Sequence, residues 1–422
     1  MILGIIADDF TGATDVASML VRAGMRTVQV IGIPAGPAPD ADAIVVALKT
    51  RTVPSADAVA ESLAALRWLQ AAGMRQCYFK YCSTFDSTPA GNIGPVTDAL
   101  MIALGTDFTI ACPAFPENGR TIFRGHLFVG DELLSDSGMR NHPLTPMRDA
   151  NLVRVLQAQT TRRVGLVRFD TIAQGADAVR ARVKALQREG VTITIADATA
   201  NDDLRTLAAA CADLPLLTAG SGLALGLPAV YAERGWLTPD ARAAELDPVG
   251  AGSAVLSGSC SLATNAQVQR WRETGRPAFA IDPRALARGE PVADGALEWA
   301  RSQPPEATVL VYATAAADEL QAVQSELGAM QAGALVEACL AQIARGLVDH
   351  GVRRLVVAGG ETSGAVVQTL GVTQLRIGAA ICTGVPWTQA DTSVAGERLH
   401  LALKSGNFGG PDFFLEALAA NS

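Results

Sequence analysis

Short apolar runs alternate with stretches of helical spacing along the first half of the chain. Residues 3–7 form an apolar run that ends at two carboxylates, and the apolar positions of residues 12–23 then recur with the period of a helix. Further buried strands are predicted at residues 27–31, 43–48, 76–80, 108–112, 164–168, 191–196 and 214–218, with a helix at residues 56–72. Strands that alternate with helices of this length predict a mainly parallel sheet covered by helices on both faces.

The same alternation begins again after residue 252, which indicates a second domain. Between residues 236 and 252 the chain is rich in Pro, Gly, Ala and charged residues, a composition typical of a domain boundary. Beyond it, strands are predicted at residues 254–256, 309–313, 355–358 and 400–403, with a helix at residues 262–271. We therefore predict an α/β protein of two domains, residues 1–245 and 246–422, each with a mainly parallel sheet flanked by helices.

The composition narrows the classes of function. The chain has 422 residues, a formal net charge of −8 and a hydrophobic fraction of 49%, so we expect a folded protein that binds neither nucleic acid nor an anionic membrane surface. Its seven cysteines are scattered without a CxxC pair, and its four histidines lack metal-ligand spacing. The apolar start stops at Asp8, so neither a signal peptide nor a membrane span is predicted. These features favour a cytoplasmic protein with reduced thiols and no zinc site.

Two adjacent carboxylates follow the first predicted strand. Open α/β sheets bind their ligands at the carboxyl ends of the strands, so Asp8 and Asp9 are candidates for a substrate site. A carboxylate there can accept a proton from a hydroxyl group or hold hydroxyl groups by hydrogen bonds. The alternative is structural, because Asp9 could instead cap the helix that follows.

A second polar cluster follows the strand at residues 76–80. Its candidate substrate-binding residues are Lys80, Ser83, Thr84 and Asp86. Hydroxyl groups suit a polyhydroxy acid, and the lysine could pair with the carboxylate of that acid. The alternative is a Ser/Thr-rich loop that only leads to the next helix.

Two more candidates come from other parts of the first domain. Arg51 follows the strand at residues 43–48 and could clamp a carboxylate, although a solvated surface arginine is the alternative. His126 lies in residues 119–146, a stretch rich in turn formers that predicts a long irregular and functional segment. The alternative for His126 is a hydrogen-bonded histidine in the core.

Three loops rich in glycine and serine follow strands of the second domain, at residues 257–261, 359–364 and 404–410. Glycine lets the backbone approach an anion, and the N–H groups at a helix start bind phosphate. Each loop alone is an ordinary turn, but three in one domain predict a polyphosphate ligand. The candidate residues are Ser257, Ser259, Ser261, Gly359, Gly360, Glu361, Thr362, Ser363, Lys404, Gly406 and Asn407.

These loops match no standard nucleotide signature. The chain has no GxxxxGK[ST] motif, no GxGxxG after the first strand and none of the protein-kinase motifs. A nucleotide site in this chain is therefore of another type. The turn at residues 220–222, Gly-Ser-Gly, is interpreted as structural.

Over almost its whole length the chain resembles the four-carbon acid sugar kinases. The segments that carry the resemblance are ADDFTGA at 7–13, KYCSTFD at 80–86, SGSCS at 257–261, GGETSG at 359–364 and KSGNFG at 404–409. Five further runs are similar to the 3-oxo-tetronate kinase branch: STFDST at 83–88, GNIGP at 91–95, PENGR at 116–120, GHLFV at 125–129 and SGMRNHPLTP at 137–146.

The resemblance implies how the two domains divide the reaction. Residues 1–245 would bind the sugar acid, residues 246–422 would bind ATP, and the active site would be the interdomain cleft. ATP with Mg²⁺ would phosphorylate the C4 hydroxyl of 3-oxo-tetronate. Asp8 or Asp9 would orient the hydroxyl and accept its proton, and Glu361 would help to hold the metal ion.

Other functions stay open at this point. D-Threonate or D-erythronate could replace 3-oxo-tetronate as the substrate, because relatives acting on these acids share the loops around ATP. An NAD-dependent sugar-acid dehydrogenase and a non-catalytic metabolite sensor are alternatives of other classes. The expected partners are small molecules, and the apolar composition is compatible with a homodimer.

Overall fold

A computed structural model describes residues 1–142, 144–392 and 398–419 of the chain. The chain divides into two compact units, Met1–Ala244 and Glu245–Ser422, called the first and the second unit below. Each unit is built from a largely parallel sheet and the helices that pack on it. The predicted fold class, two α/β domains with mainly parallel sheets flanked by helices, is therefore confirmed.

The elements of the first unit are numbered in chain order. Its strands are β1 (Leu3–Ala7), β2 (Thr27–Ile31), β3 (Ala43–Ala47), β4 (Gln76–Lys80), β5 (Thr109–Cys112), β6 (Arg120–Phe123), β7 (His126–Val129), β8 (Glu132–Leu133), β9 (Val164–Val167), β10 (Ile193–Ala196) and β11 (Leu216–Ala219). Its helices are α1 (Phe10–Arg22), α2 (Ser55–Ala71), α3 (Ile93–Leu104), α4 (Leu152–Gln157), α5 (Phe169–Ile172), α6 (Ala176–Arg188), α7 (Asn201–Cys211) and α8 (Leu227–Glu233).

The main sheet of the first unit brings the ends of its central strands together. The strands lie in the order β2-β3-β1-β4-β11-β5-β10-β9, and every pair is parallel. In this register Ala7 lies opposite Ala47 and Lys80, and Lys80 lies opposite Ala219. The loops that follow β1, β3, β4 and β11 therefore leave the sheet at one level of the same edge, where ligands of open parallel sheets bind.

The central strands are buried on both faces, which explains their unbroken apolar character. All five residues of β1 and all five of β3 are buried. A parallel sheet that is covered on both faces requires such continuous apolar runs rather than an alternating pattern. The short strands could be recognised in the sequence for this reason.

The segment at residues 119–146 is more regular than the sequence indicated. It contains the antiparallel strands β6, β7 and β8, and a two-residue turn at Arg124 and Gly125 joins β6 to β7. Both turn residues have positive φ, 50° and 77°, as this hairpin turn requires. The prediction of an irregular segment was wrong for these strands. The hairpin turn places Arg124 in the left-handed region of the backbone, and arginine is not a residue from which such a turn can be predicted. Pro143, within the quoted run 137–146, lies outside the described residues.

The second unit has seven strands and seven helices in the part of the chain that the structure describes. The strands are β12 (Gly252–Ser257), β13 (Ala278–Ala280), β14 (Val309–Tyr312), β15 (Val352–Ala358), β16 (Gln374–Cys382), β17 (Val385–Asp391) and β18 (Arg398–Lys404). The helices are α9 (Leu262–Glu273), α10 (Pro283–Ala287), α11 (Val292–Arg301), α12 (Ala317–Leu327), α13 (Ala329–Asp349), α14 (Gly360–Thr369) and α15 (Phe413–Ala419).

The sheet of the second unit is parallel at its centre and antiparallel at one end. Its order is β13-β14-β12-β15-β18-β17-β16, and only the pairs of β17 with β18 and with β16 are antiparallel. The core on one face joins Trp271, Trp387, Phe413 and Phe414 to apolar residues of the central strands. The ends of β12, β15 and β18 carry the loops in which the phosphate-binding residues are predicted.

No single helix among the described residues is long and apolar enough to cross a bilayer. One bent pair, Asp318–Leu327 with Met330–Asp349, satisfies the length and composition required only when the two helices are taken together.

Candidate functional site

The carboxylates after β1 have different local roles. Asp9 is the N-cap of α1, and its Oδ1 accepts a hydrogen bond from the Gly12 N–H at 3.0 Å while its Oδ2 accepts one from the Thr11 hydroxyl at 3.0 Å. The capping alternative therefore describes Asp9 correctly. Asp8 takes no part in the cap, and only 6% of its surface is exposed.

Arg51 joins the two carboxylates. Its Nε donates to Asp8 Oδ2 at 2.9 Å and its Nη2 donates to Asp8 Oδ1 at 2.8 Å, and the same Nη2 lies 2.7 Å from Asp9 Oδ1. Asn92 fixes the loop that carries the arginine, because its amide donates to the carbonyls of Thr50 and Val53 at 2.8 and 2.9 Å. The guanidinium that the sequence offered as a substrate clamp is thus already engaged by protein carboxylates.

The pKa shifts of the two carboxyl groups run in opposite directions. Burial raises the pKa of Asp8, and the charge and hydrogen bonds of Arg51 offset this only in part. Burial also opposes ionisation of Asp9, but Arg51, Lys80 and the hydrogen bonds from Thr11 and Gly12 outweigh it and lower the pKa of this carboxyl. Asp8 is therefore the stronger proton acceptor of the pair.

Lys80 lies beneath the start of α1 rather than at the surface. It is 2% exposed, and its Nζ donates to the Tyr81 carbonyl at 2.8 Å. A Cβ added to Gly12 would come within 2.9 Å of the Lys80 Nζ and 2.2 Å of Asp9 Oδ1. Only glycine fits at this position, since any side chain would separate the ammonium group from the carboxylate cluster.

The loop after β4 presents a row of polar groups beside Arg51. Phe85 has a φ of 52° and is fully buried, so the chain turns sharply there with its ring in the core. On either side of it, the Thr84 hydroxyl donates to Asp86 Oδ1 at 2.5 Å, and Asp86 Oδ2 lies 3.9 Å from Arg51 Nη1. Ser83 is half-buried in the same turn. The structure thus brings Thr84 and Asp86 to the carboxylate cluster, and it gives no contact between Ser83 and that cluster.

Asp15 is a member of this cluster that sequence reasoning did not select. It is 5% exposed, its Oδ2 accepts a 2.5 Å hydrogen bond from the Ser221 hydroxyl, and its Oδ1 has no hydrogen-bond partner among the described residues. Burial raises its pKa to about 6, although the charge of Lys80 lowers it. The only sequence signals were the helical spacing from Thr11 to Asp15 and the turn at residues 220–222, which we interpreted as structural.

The hydrogen-bond partners of His126 lie in a part of the first unit other than the carboxylate cluster. Its Nδ1 lies 3.0 Å from the Arg124 carbonyl, and its Nε2 lies 3.3 Å from the Asn151 amide. These partners belong to the β6–β7 turn and to the start of α4. No contact described in the structure joins His126 to the carboxylates after β1.

The second unit contains a pocket of about 1100 Å³ at the carboxyl ends of its strands. Of the predicted phosphate-binding residues, those that line it are Ser259, Gly359, Gly360, Glu361, Thr362 and Gly406. The size is at the upper end for small-molecule sites. Three loops that are far apart in the sequence therefore meet around one cavity.

Close backbone packing shapes the floor of this pocket. A Cβ added to Gly258 would lie 2.2 Å from the Thr362 Oγ1, and Gly359 has a φ of 123° at the N-cap of α14. The Gly359 N–H donates to the Lys404 carbonyl at 2.8 Å, which ties two of the loops together. Glycines at these positions leave the start of α14 open to an anion.

Several predicted nucleotide ligands do not line the pocket. The Ser257 hydroxyl is buried 2.7 Å from the Thr314 hydroxyl, Ser261 caps α9, and Ser363 is fully buried. Asn407 is exposed, and the Lys404 ammonium is bonded to backbone carbonyls in the interior. The sequence motifs predicted which loops form the pocket, but they did not predict which side chains of those loops face the cavity.

The pocket also has lining residues that sequence reasoning missed. Residues 312–316, which begin at the last residue of β14, line it together with Asn265 and Arg272 of α9. The segment 312–316 contains no glycine or charged residue, so it carries no phosphate motif. The rule that ligands bind at strand ends could have selected it, because the strand itself was predicted.

One carboxylate at the pocket, Glu361, is a candidate ligand for a metal ion. Within the described residues no group of three or more His, Cys, Asp or Glu side chains could hold a metal ion by itself. Mg²⁺ commonly takes one or two protein carboxylates and completes its shell with phosphate oxygens and water. Glu361, in the first turn of α14 at the pocket wall, fits that requirement.

Two family models match the chain, one in each half. The family model described as "Sugar-binding N-terminal domain" matches residues 3–227, and "Nucleotide-binding C-terminal domain" matches residues 254–414. A crystal structure of a Salmonella typhimurium LT2 protein is 46% identical with a TM-score of 0.86, and the match covers 98% of each chain.

Curated relatives match over the full length. The 3-oxo-tetronate kinase of Pseudomonas fluorescens Pf-5 is 64% identical over 99% of this chain and 96% of its own length. The 3-oxo-tetronate kinase of Burkholderia multivorans is also 64% identical, over 99% of this chain and 97% of its own. The resemblance drawn from the sequence is confirmed, and the chain belongs to the family of the 3-oxo-tetronate kinases, in which a sugar-binding N-terminal domain precedes a nucleotide-binding C-terminal domain.

Proposed function

We propose that the protein is an ATP-dependent kinase that phosphorylates the C4 hydroxyl of 3-oxo-tetronate. The observation that carries this proposal is the full-length identity of 64% to curated proteins of that name. The geometry supports the same reaction class, because one unit holds a cluster of carboxylates and cations and the other holds a glycine-lined pocket. Phosphoryl transfer requires mainly such positioning and charge stabilisation.

Asp8 and Asp9 are the proposed catalytic residues of the first unit. In the reaction the substrate O4 forms a bond to the γ-phosphorus, the bond from this phosphorus to the β–γ bridging oxygen breaks, and ADP leaves. The proton of O4 goes to a carboxylate, and the raised pKa of Asp8 favours Asp8 as its acceptor. Asp9, held by the cap and by Arg51, would accept a hydrogen bond from the hydroxyl and orient it.

The remaining groups of the first unit are proposed to bind the sugar acid. Ser83 and Thr84 would donate hydrogen bonds to its oxygens, and Asp86 would orient Thr84. Lys80 and Arg51 are the cations nearest to these groups and would face the carboxylate of the substrate, although both already have partners within the protein. His126 is proposed only as a more remote contact, since its partners lie in the β6–β7 turn.

ATP is proposed to occupy the pocket of the second unit. The N–H groups at the start of α14 and the loop after β12 would bind its phosphates, with Gly359, Gly360, Thr362 and Ser259 at the contact. Mg²⁺ would neutralise the phosphate charge, and Glu361 is the proposed protein ligand. Four other candidates do not line the pocket and would support the loops rather than contact phosphate: Ser257, Ser261, Ser363 and Asn407.

The test is ADP release from ATP and Mg²⁺ with a panel of four-carbon acids. The panel contains 3-oxo-tetronate and both hands of threonate and erythronate. We expect strong release with 3-oxo-tetronate and little with the others. Strong release with threonate or erythronate would keep the kinase and replace the substrate, and no release with any acid would contradict the proposal.

Two further properties are proposals of the same kind. All seven cysteines are free thiols, which supports a location in the reducing cytoplasm. A homodimer is proposed from the apolar composition, and sedimentation of the full chain would test it. No geometry among the described residues supports the dehydrogenase alternative. An assay of nicotinamide absorbance with the same acids would test it, and an unchanged absorbance would exclude it.

A further inference from the structure

Lys404 ends β18 with its side chain in the interior of the second unit. It is 0% exposed, and its Nζ lies 3.0, 2.9 and 3.1 Å from the carbonyl oxygens of Ser405, Gly406 and Phe408. The Thr264 Oγ1 is a fourth neighbour at 3.1 Å. An ammonium group has three N–H donors and no acceptor, so these oxygens satisfy all of its hydrogen-bonding capacity.

The loop at residues 405–408 curls around this single nitrogen. Three of its four carbonyls point at the ammonium, an arrangement that would place oxygen dipoles against one another if no cation lay between them. Burial of a lysine is costly unless such partners surround the charge. The cation and the loop conformation therefore stabilise each other.

The same loop is connected to α9 and to the wall of the pocket. The Gly406 carbonyl accepts hydrogen bonds from the hydroxyls of Ser261 at 2.6 Å and Thr264 at 2.8 Å. Gln267 donates to the carbonyl of Phe408 at 3.0 Å. Gly406 itself lines the pocket, and a Cβ added there would lie 2.5 Å from the Ser259 Oγ. A shift of the loop would thus change the cavity directly.

We propose that Lys404 is a positioning residue for the nucleotide: its ammonium group is the template on which residues 405–408 fold against α9, and it does not bind phosphate. The inference rests on the proposed function only in assigning ATP to the pocket. It differs from the expectation drawn from the sequence, in which Lys404 was a candidate residue for binding the polyphosphate ligand.

The environment of the ammonium also predicts a response to pH. Burial lowers the pKa of Lys404 to about 7, and the Cys382 thiol is the ionisable group that acts against this shift. The other groups recorded around Nζ are uncharged: the Thr264 hydroxyl, three carbonyls and the Phe413 ring, whose centroid is 5.9 Å away. Above neutral pH a neutral amine has one donor fewer and a lone pair facing carbonyl oxygens, so the loop loses its template.

The experiment compares Lys404→Met with the wild-type full chain. Methionine keeps the length of an unbranched side chain but donates no hydrogen bond. We expect the KM for ATP to rise by roughly tenfold or more, equivalent to about 1.4 kcal/mol of binding, while the KM for the sugar acid changes less than twofold. In the wild type the KM for ATP should rise as the pH passes above 7, and in the variant this dependence should disappear. The exposed Lys184→Met of the first unit is the matched control and should change neither constant.

Hydrogen exchange separates a template from a phosphate ligand. Without nucleotide, the amides of residues 405–409 should exchange faster in Lys404→Met than in the wild type, because the loop is loosened before any ligand binds. A lysine that contacted phosphate would leave exchange in the nucleotide-free protein unchanged, and this result would overturn the proposal. An equal loss in the KM values of both substrates would also overturn it.

A second variant keeps the test valid if Lys404→Met does not fold. Thr264→Val has nearly the same shape but lacks the hydroxyl that contacts both Lys404 and Gly406, so a smaller rise in the KM for ATP and faster exchange of the same amides are expected. Unchanged values in this variant would contradict the proposal. A wild-type chain without ADP release would overturn the proposed kinase function instead, and the exchange comparison would still decide the role of Lys404.

Discussion

Arg51 holds Asp8 at two points, with Nε 2.9 Å from Oδ2 and Nη2 2.8 Å from Oδ1. The two residues lie on loops that follow neighbouring strands, β3 and β1. Because the guanidinium also reaches Asp9 at 2.7 Å, a single arginine sets the orientation of both proposed catalytic carboxylates. If the proposed function holds, we expect the arginine to act on the substrate through these carboxylates rather than as a separate clamp.

Replacement of Arg51 by lysine is expected to destabilise the first unit although the charge is kept. An ammonium group cannot reproduce the two parallel hydrogen bonds to Asp8, so the free energy of unfolding should fall by about 2 kcal/mol. Urea unfolding of the full chain measures this change. The exposed Arg140→Lys, whose ion pair to Asp136 spans 3.7 Å, is the control and should have almost no effect.

A double-mutant cycle with Asp8→Asn isolates the pair. If the bidentate contact carries the effect of Arg51→Lys, the two substitutions should be non-additive by about 1–3 kcal/mol. Additive losses would mean that the arginine stabilises the protein through other contacts, and the orienting role would be withdrawn.

Asp9→Asn tests catalysis without removing the helix cap. Asparagine caps helices about as well as aspartate, so the cap is kept and the thermal stability should fall only by the loss of the ion pair with Arg51. We expect kcat to fall by roughly 10²–10⁴-fold, because the carboxylate charge at the hydroxyl is lost, while the KM for ATP stays constant. Steady-state ADP release measures both constants. The exposed Asp131→Asn serves as control, and a fully active Asp9→Asn enzyme would remove Asp9 from the mechanism.

Because the carboxyl group of Asp15 is buried, we expect the free energy of unfolding to depend on pH. Its folded-state pKa of about 6 lies above the ordinary value of 3.8, so between these values the folded protein binds a proton that the unfolded chain has lost. Wild-type stability should therefore fall, relative to Asp15→Asn, as the pH rises from about 4 to 6, by at most about 3 kcal/mol. Urea unfolding at several pH values measures the difference between the two proteins. Curves that stay parallel over this range would show that Asp15 does not titrate as its burial implies.

Gly258→Ala should close the floor of the pocket. A Cβ at this position would lie 2.2 Å from the Thr362 Oγ1, so α14 must shift away from the β12 loop. We expect the KM for ATP to rise at least tenfold, a loss of about 1.4 kcal/mol, with the KM for the sugar acid unchanged. The additional change Thr362→Ala removes the clashing oxygen and should restore part of the affinity.

The control for this prediction is Gly295→Ala on α11. No heavy atom lies within 4 Å of an added Cβ there, so alanine should be tolerated and should stabilise the helix slightly. If Gly258→Ala leaves the KM for ATP unchanged, the nucleotide does not bind at this pocket. A bulky residue such as leucine at Thr362 should weaken ATP for the same steric reason.

The sequence by itself determined the fold class, the family and the loops that carry chemistry. Buried parallel strands require continuous apolar runs, and helices between them require a period of 3.6 residues, so both patterns are visible locally. Asp8 and Asp9 could be selected because they are adjacent at a strand end. The glycine-rich loops could be selected because backbone approach to an anion demands small residues.

Only the tertiary structure decided which of these side chains act together. Arg51 meets Asp8 across 43 residues of sequence and Ser221 meets Asp15 across 206, because parallel strands from distant segments end at one edge of the sheet. Lys404 begins a glycine-rich loop that the sequence assigned to phosphate binding, yet its side chain is buried and its ammonium group is bonded to neighbouring carbonyls. Local patterns specify where loops occur, whereas burial and hydrogen-bond partners arise only when distant segments pack, and these determine what each charge can do.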